Sequence, residues 1–262
     1  MGTLLQDFRH AARQMRRTPT FAWVAIITLA LGIGANVAIF SMVDWLLIRP
    51  LPVKDPGQIT VLRLQQNVDI LLATLSIPDY RDIRSQTTAV FDGLAGYELS
   101  LDGLSVDGGK ADRIVTNFVT GNFFSVLGLK PALGRLILPS EGNAPGADPV
   151  IVLSYSYWKD RLGGNPAIIG KKVSFDGHPV TVVGVAPPGF HGAEPLVAMA
   201  GYLPLGMLTT TLPPGFMENR GERGLSVLGR LRHGVNLQEA QAALTVVSQR
   251  LSQQYPDIDK NV

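Results

Sequence analysis

The sequence predicts an α+β protein held at a membrane by its front end: an amphipathic helix, one spanning helix, then one large extracytoplasmic domain. Three observations lead there. Residues 21–43, FAWVAIITLALGIGANVAIFSMV, carry no charge. The residues before them hold four arginines (Arg9, Arg13, Arg16, Arg17) against a single acid, Asp7. From Arg49 onward, strand-like alternation is interleaved with amphipathic helical patterns, and 19 Lys and Arg balance 19 Asp and Glu.

Each element follows from its residues. In 3–17, Leu4, Phe8, Ala11 and Met15 recur at helical spacing while the arginines fall mostly elsewhere. That is the pattern of a basic helix lying in the headgroup plane. Thr18-Pro19-Thr20 breaks it and starts the next helix. Phe21–Val43, as a helix, reaches roughly 35 Å, enough for a bilayer core of about 30 Å. The arginines hold the N-terminus in the cytoplasm by the positive-inside rule. A cleaved signal peptide is the alternative, but its apolar region runs only about 7–15 residues. Ala30, Gly34 and Ala38 repeat every fourth residue, as do Gly32 and Asn36. Small residues at that interval let another membrane helix approach closely.

Arg49-Pro50-Leu51-Pro52 ends the span in an extended exit. Ile59–Leu64 alternates as a strand. Pro78–Ser85 reads as a helix capped by Ser76. Phe91–Leu101 and Arg113–Val119 read as strands about a turn at Asp107-Gly108-Gly109. Gly121–Leu127 is a short helix stopped by Gly128. The Gly- and Pro-rich stretch after Lys130 suggests a subdomain boundary. Ser154–Leu162 is a serine-capped helix, and Lys172–Phe175 with Pro179–Val185 makes a hairpin around Asp176-Gly177. Ala200–Leu205 and Leu225–Arg232 are strands, and Thr209–Gly221 between them is a loop. A helix over Leu237–Gln254 buries Ala240, Leu244, Val247 and Leu251.

Composition and spacing exclude several chemistries. The chain has no cysteine, hence no disulfide and no thiolate metal site. The neutral domain lacks the broad basic face that nucleic acid requires. No P-loop occurs, so any ATP hydrolysis must come from another chain. His10, His178, His191 and His233 are scattered, with no pair at i, i+4 spacing for zinc. Tyr155 and Lys159 share the Tyr-x-x-x-Lys spacing of short-chain dehydrogenases, but no glycine-rich nucleotide loop precedes them. Asp79, Asp82, Arg81 and Arg84 read as a solvated helix face. No catalytic, cofactor-binding or metal residue is assigned, and the expectation is a protein that is not an enzyme.

Several long motifs in order carry a resemblance. They are FRHAARQMRRTPTFAWVAIITLALGIGANVAIFSMVDWLLIRPLP at 8–52, VTGNFFSVLGLKPALGR at 119–135, PVIVLSYSYWKDRLGGNPAIIGKKVSFDGHPVTVVGVAPPGF at 149–190, YLPLG at 202–206 and LGRLRHGVNLQEAQAAL at 228–244. Together they resemble the MacB/FtsX-like ABC transporter permeases, including the duplicated permeases of soil bacteria, over nearly the whole chain. The resemblance implies residues 1–19 as the interfacial helix, 20–48 as the membrane helix and 49–262 as a MacB-like periplasmic core domain. That domain would consist of a porter-like α/β layer (50–130 and 222–262) and an inserted β-rich subdomain (131–221). It further implies a non-catalytic permease part of an export or mechanotransmission system in the cytoplasmic (inner) membrane. The implied partners are a cytoplasmic ABC ATPase, other permease membrane helices in a dimer, and the lipid bilayer. The family's remaining membrane helices do not occur in these 262 residues, so either the chain is a fragment or a partner supplies them. A stand-alone anchored binding or scaffold module is the alternative.

Overall fold

The structure is a computed structural model. It describes residues 19–43, 53–62, 74–106, 108–142, 144–194, 197–210, 212–213 and 215–256, and in the first segment all side chains except those of 19, 21, 22, 25, 39 and 41–43. The amphipathic helix expected over 3–17, the exit Arg49–Pro52 and the end of the first expected strand, 63–64, lie outside the described residues. The chain divides into two compact units, Met1–Pro50 and Leu51–Val262.

The first unit holds helix α1, Pro19–Val43, 25 residues without a charge. Two of its polar side chains turn back on the helix: the Thr28 hydroxyl donates to the Val24 carbonyl at 2.7 Å, and the Asn36 amide to the Gly32 carbonyl at 3.0 Å. Its large apolar side chains are open all round, with Leu31 74% and Phe40 71% exposed. A Cβ added at Gly32 or Gly34 would meet nothing within 4 Å. Among the described residues no helix is long and apolar enough to cross a membrane. In α1 the longest unbroken run of described side chains is 26–38, and a span takes about 20 residues.

The second unit is built on one nine-stranded sheet. Its elements are β1 (Ile59–Leu62), α2 (Ile77–Gln86), β2 (Phe91–Ser105), β3 (Asp112–Val119), α3 (Phe123–Leu127), β4 (Leu133–Gly134) and β5 (Val150–Leu153). Then follow α4 (Tyr155–Arg161), β6 (Lys172–Phe175), β7 (His178–Val185), β8 (Gly201–Pro204), β9 (Ser226–Leu231) and α5 (Leu237–Gln254). The strand order is β1-β9-β2-β3-β8-β5-β7-β4, with β6 pairing both β2 and β7. That double pairing closes β2-β3-β8-β5-β7-β6 into a ring. The pairs β3–β8 and β5–β7 are parallel and the rest antiparallel.

Local signals placed several ends. Ser76 and Ser154 cap α2 and α4 by accepting from the Asp79 and Tyr157 backbone N–H groups. The β6–β7 turn has φ of 45° at Asp176 and 83° at Gly177, the left-handed pair that a two-residue hairpin needs. Asn236 and Glu239 form a reciprocal capping box at the start of α5. Of the expected α5 stripe, Ala240, Val247 and Leu251 are buried and Leu244 is half-buried.

Other ends differ from expectation. β2 continues past Leu101 to Ser105, because Leu104 and Ser105 pair with Phe175 and Ser174 of β6. β4 and β5 carry no turn-bounded signal of their own and exist through pairing with β7 and β8. The expected loop 209–221 includes the end of a 3-10 turn, Leu205–Thr210, and a second one, Phe216–Glu218.

Two apolar clusters hold the unit together. One gathers side chains from all six ring strands, among them Leu104, Phe118, Ile151, Phe175, Val182 and Leu203, and continues under α2 and α5. The other takes the opposite faces, Tyr97, Val119, Val152 and Tyr202, together with α3. Alternate residues of β2, β3, β5 and β8 thus face two cores.

Candidate functional site

The first described residues of the domain, from Val53 on, are held in place by buried and polar contacts. Val53 is buried. The Lys54 backbone N–H donates to the Leu127 carbonyl at the end of α3, at 3.1 Å. Arg230 of β9 closes the junction: its Nε donates to the Val126 carbonyl at 2.6 Å and its Nη2 to the Lys54 carbonyl at 2.7 Å. Its Nη1 reaches Gln58 Oε1 at 3.4 Å. One guanidinium therefore ties residues 54–58, ahead of β1, to α3 with donors fixed in a plane. Gly128 makes the fit possible, since it adopts φ 68° and a Cβ there would lie 2.6 Å from the Lys54 Cβ.

From α3 the contact continues into the domain. Phe123 is fully buried and packs on Tyr97, Phe124, Phe190 and Tyr202, at centroid distances of 5.3–6.4 Å. Such edge and offset pairs add about 0.5–1.5 kcal/mol each beyond burial. The cluster joins α3 to β2, to β8 and to the segment after β7. The Tyr97 hydroxyl donates to Glu194 at 3.0 Å. Burial raises the Tyr202 phenol far above its ordinary value, so that hydroxyl stays neutral.

A second tie involves residues the sequence assigned to a solvated face, and here the expectation is corrected. Asp79 is buried, because α2 presses this side toward the segment before β9. Arg220 donates from Nη1 to Asp79 and from Nη2 to Asp82, the latter at 2.6 Å, and its guanidinium lies 3.9 Å from the Tyr255 ring centroid just past α5. Arg220 thus fastens α2 to the end of α5.

The remaining candidates do not converge. Tyr155 packs edge-on against Trp158, while the Lys159 stem runs beside Gly164. Among the described residues no three His, Cys, Asp or Glu side chains group as metal ligands; His10 lies outside them. Sequence reasoning missed Arg220 and Arg230. Their partners are 138–141 and 104–176 residues away in sequence, so no local pattern marks them.

The second unit is thus a ring-closed α+β domain whose first described residues are tied to α3 and β9. A family model described as the MacB-like periplasmic core domain matches residues 22–247, and this chain belongs to that family. Among solved structures it is similar to the periplasmic region of MacB from Actinobacillus actinomycetemcomitans. The identity is 20%, the TM-score 0.56, and the match covers 77% of this chain and 85% of that one. It is also similar to the extracellular domain of the noncanonic ABC-type transporter YknZ from Gram-positive bacteria. There the identity is 14%, the TM-score 0.54, and the coverage 75% and 95%. At these identities the likeness is one of fold. No curated protein matches the chain.

Proposed function

We propose that this chain is a non-catalytic permease component of an ABC-type system that transmits motion between the membrane and its extracytoplasmic domain. In this reading α1 crosses the cytoplasmic membrane, the N-terminus stays inside and residues 49–262 lie outside. A separate cytoplasmic ATPase supplies the energy. Other permease helices pack on α1 along Ala30, Gly34 and Ala38. The domain would divide into a porter-like layer (50–130 and 222–262) and an inserted β-rich part (131–221).

The observation that carries the proposal is the family match beginning at residue 22, inside the uncharged helix, and running into the domain. The junction supports it. A lever must be stiff where it begins, and four polar contacts among Lys54, Gln58, Val126, Leu127 and Arg230, backed by a buried aromatic cluster, hold the domain's first described residues against the rest of it. The strand order supports the division. Strands from 59–119 and 226–231 fill one end of it, and those from 133–204 the other.

The test is affinity purification of the tagged chain from native membranes in mild detergent, followed by mass spectrometry. A P-loop ATPase recovered in stoichiometric amount is expected. Its absence under conditions that preserve a known permease–ATPase pair would remove the proposal.

A further inference from the structure

A cleft of about 650 Å³ opens between α2, the start of β2, α3 and β9. Its charged lining is Arg81, Arg84 and Arg230 against Asp92 alone. Asp92 in turn faces Arg232 at 3.7 Å. Arg81 and Arg84 sit three residues apart on α2, hence on one side of the helix, and both are exposed. Neither has a carboxylate partner among the described residues. The nearby acids of α2, Asp79 and Asp82, are taken by Arg220. Arg230 spends three N–H groups on neutral oxygens, Val126 O, Lys54 O and Gln58 Oε1, so its charge is not balanced there. Two of the five N–H donors of a guanidinium remain.

We propose that this cleft binds a phosphate ester, with Arg81 and Arg84 as the ligand's donors and Arg230 as the fixed charge at its back. Guanidinium groups match phosphate and carboxylate geometry, forming paired, charge-assisted hydrogen bonds. A planar carboxylate is satisfied by one fork. Arginines arriving from a helix on one side and a strand on another suit an anion that accepts in several directions, as a tetrahedral phosphate does. The cleft has room for a glycerol- or sugar-sized group beside the phosphate. The same chemistry is offered by a phospholipid headgroup and by a soluble phosphorylated solute. The cleft lies within the Leu51–Val262 unit, so this inference stands or falls apart from the membrane reading.

The test compares the full chain, purified in mild detergent, with its Arg81→Gln/Arg84→Gln variant; circular dichroism controls for folding, and both sites are exposed on α2. One arm titrates glycerol 3-phosphate by calorimetry at low and moderate salt. The other counts phosphatidylglycerol and phosphatidylcholine retained after add-back, by native mass spectrometry. Wild type is expected to bind at least one phosphate form, with a tenfold or greater loss in the variant and weakening by salt. A loss confined to glycerol 3-phosphate assigns a soluble ligand. A loss that includes phosphatidylglycerol assigns a headgroup. Equal behaviour of the two proteins in both arms overturns the proposal, and so does tighter binding of a hexaglutamate peptide than of either phosphate.

Discussion

Replacing Arg220 by Met tests whether the tie between α2 and α5 holds the domain together. Methionine keeps an apolar stem of similar length but removes the charge and, with it, the guanidinium's contact with the Tyr255 ring. The Arg220 side chain is 12% exposed and that of Asp79 1%, so the variant strands a buried carboxylate. Breaking a buried pair from one side costs about 3–5 kcal/mol. The lower end applies, because Arg220 keeps some contact with water and Asp82, 36% exposed, can turn to solvent. A loss of about 3 kcal/mol lowers the melting temperature of a domain this size by roughly 6–12 °C. Thermal unfolding of the full chain in detergent, followed by near-UV circular dichroism, reads it directly. Asp79→Asn/Arg220→Met should melt above Arg220→Met alone, because no charge is then stranded. A drop under 2 °C, or a double variant as unstable as the sum of the singles, would refute the reasoning.

Three further outcomes follow from single contacts. Phe123→Ala removes the hub of the aromatic cluster and should cost about 3–5 kcal/mol, seen as a collapse of the near-UV signal at a much lower temperature. Gly184→Ala would place a Cβ 1.8 Å from the Arg135 carbonyl oxygen, so β4 must leave β7; faster exchange of the Ala132 and Arg135 amides, which donate to Val185 and Val183, is the readout. Glu98 is part-buried with Oε2 unpaired, and burial raises its carboxyl above the ordinary value. Ionisation therefore penalises the folded state, and stability falls as pH rises from the usual carboxylate range toward the raised one. Glu98→Gln should melt higher than wild type at pH 7 and lose that advantage in acid, and an unchanged melting curve at both pH values would count against it.

What the sequence disclosed and what it hid divide by range. Ser76, Ser154, Gly128 and Asp176-Gly177 act on backbone within a few residues, so their roles were readable. β4 has two residues and depends wholly on its partner, and β5 looks like any short apolar run because both its faces are buried. The ring could not be foreseen, since it depends on β6 pairing β2 across some seventy residues of chain. Arg81 and Arg84 carry the periodicity of a solvated face, and their exposure agrees with it. That they line a cleft with a third arginine depends on β2, α3 and β9, which are distant in sequence. Asp79 and Asp82 have the same local texture, and Arg220 alone separates them from a surface pair.

Membrane orientation is open to one clean measurement, because the chain has no cysteine of its own. Gln6→Cys and Gln249→Cys, the second on an exposed position of α5, are each labelled with an impermeant maleimide on intact spheroplasts and again after lysis. Gln249→Cys should label at once and Gln6→Cys only after lysis, with the protein staying in the membrane through alkaline washing. Labelling in the reverse order, or release of the chain by the wash, would contradict an anchored domain facing outward.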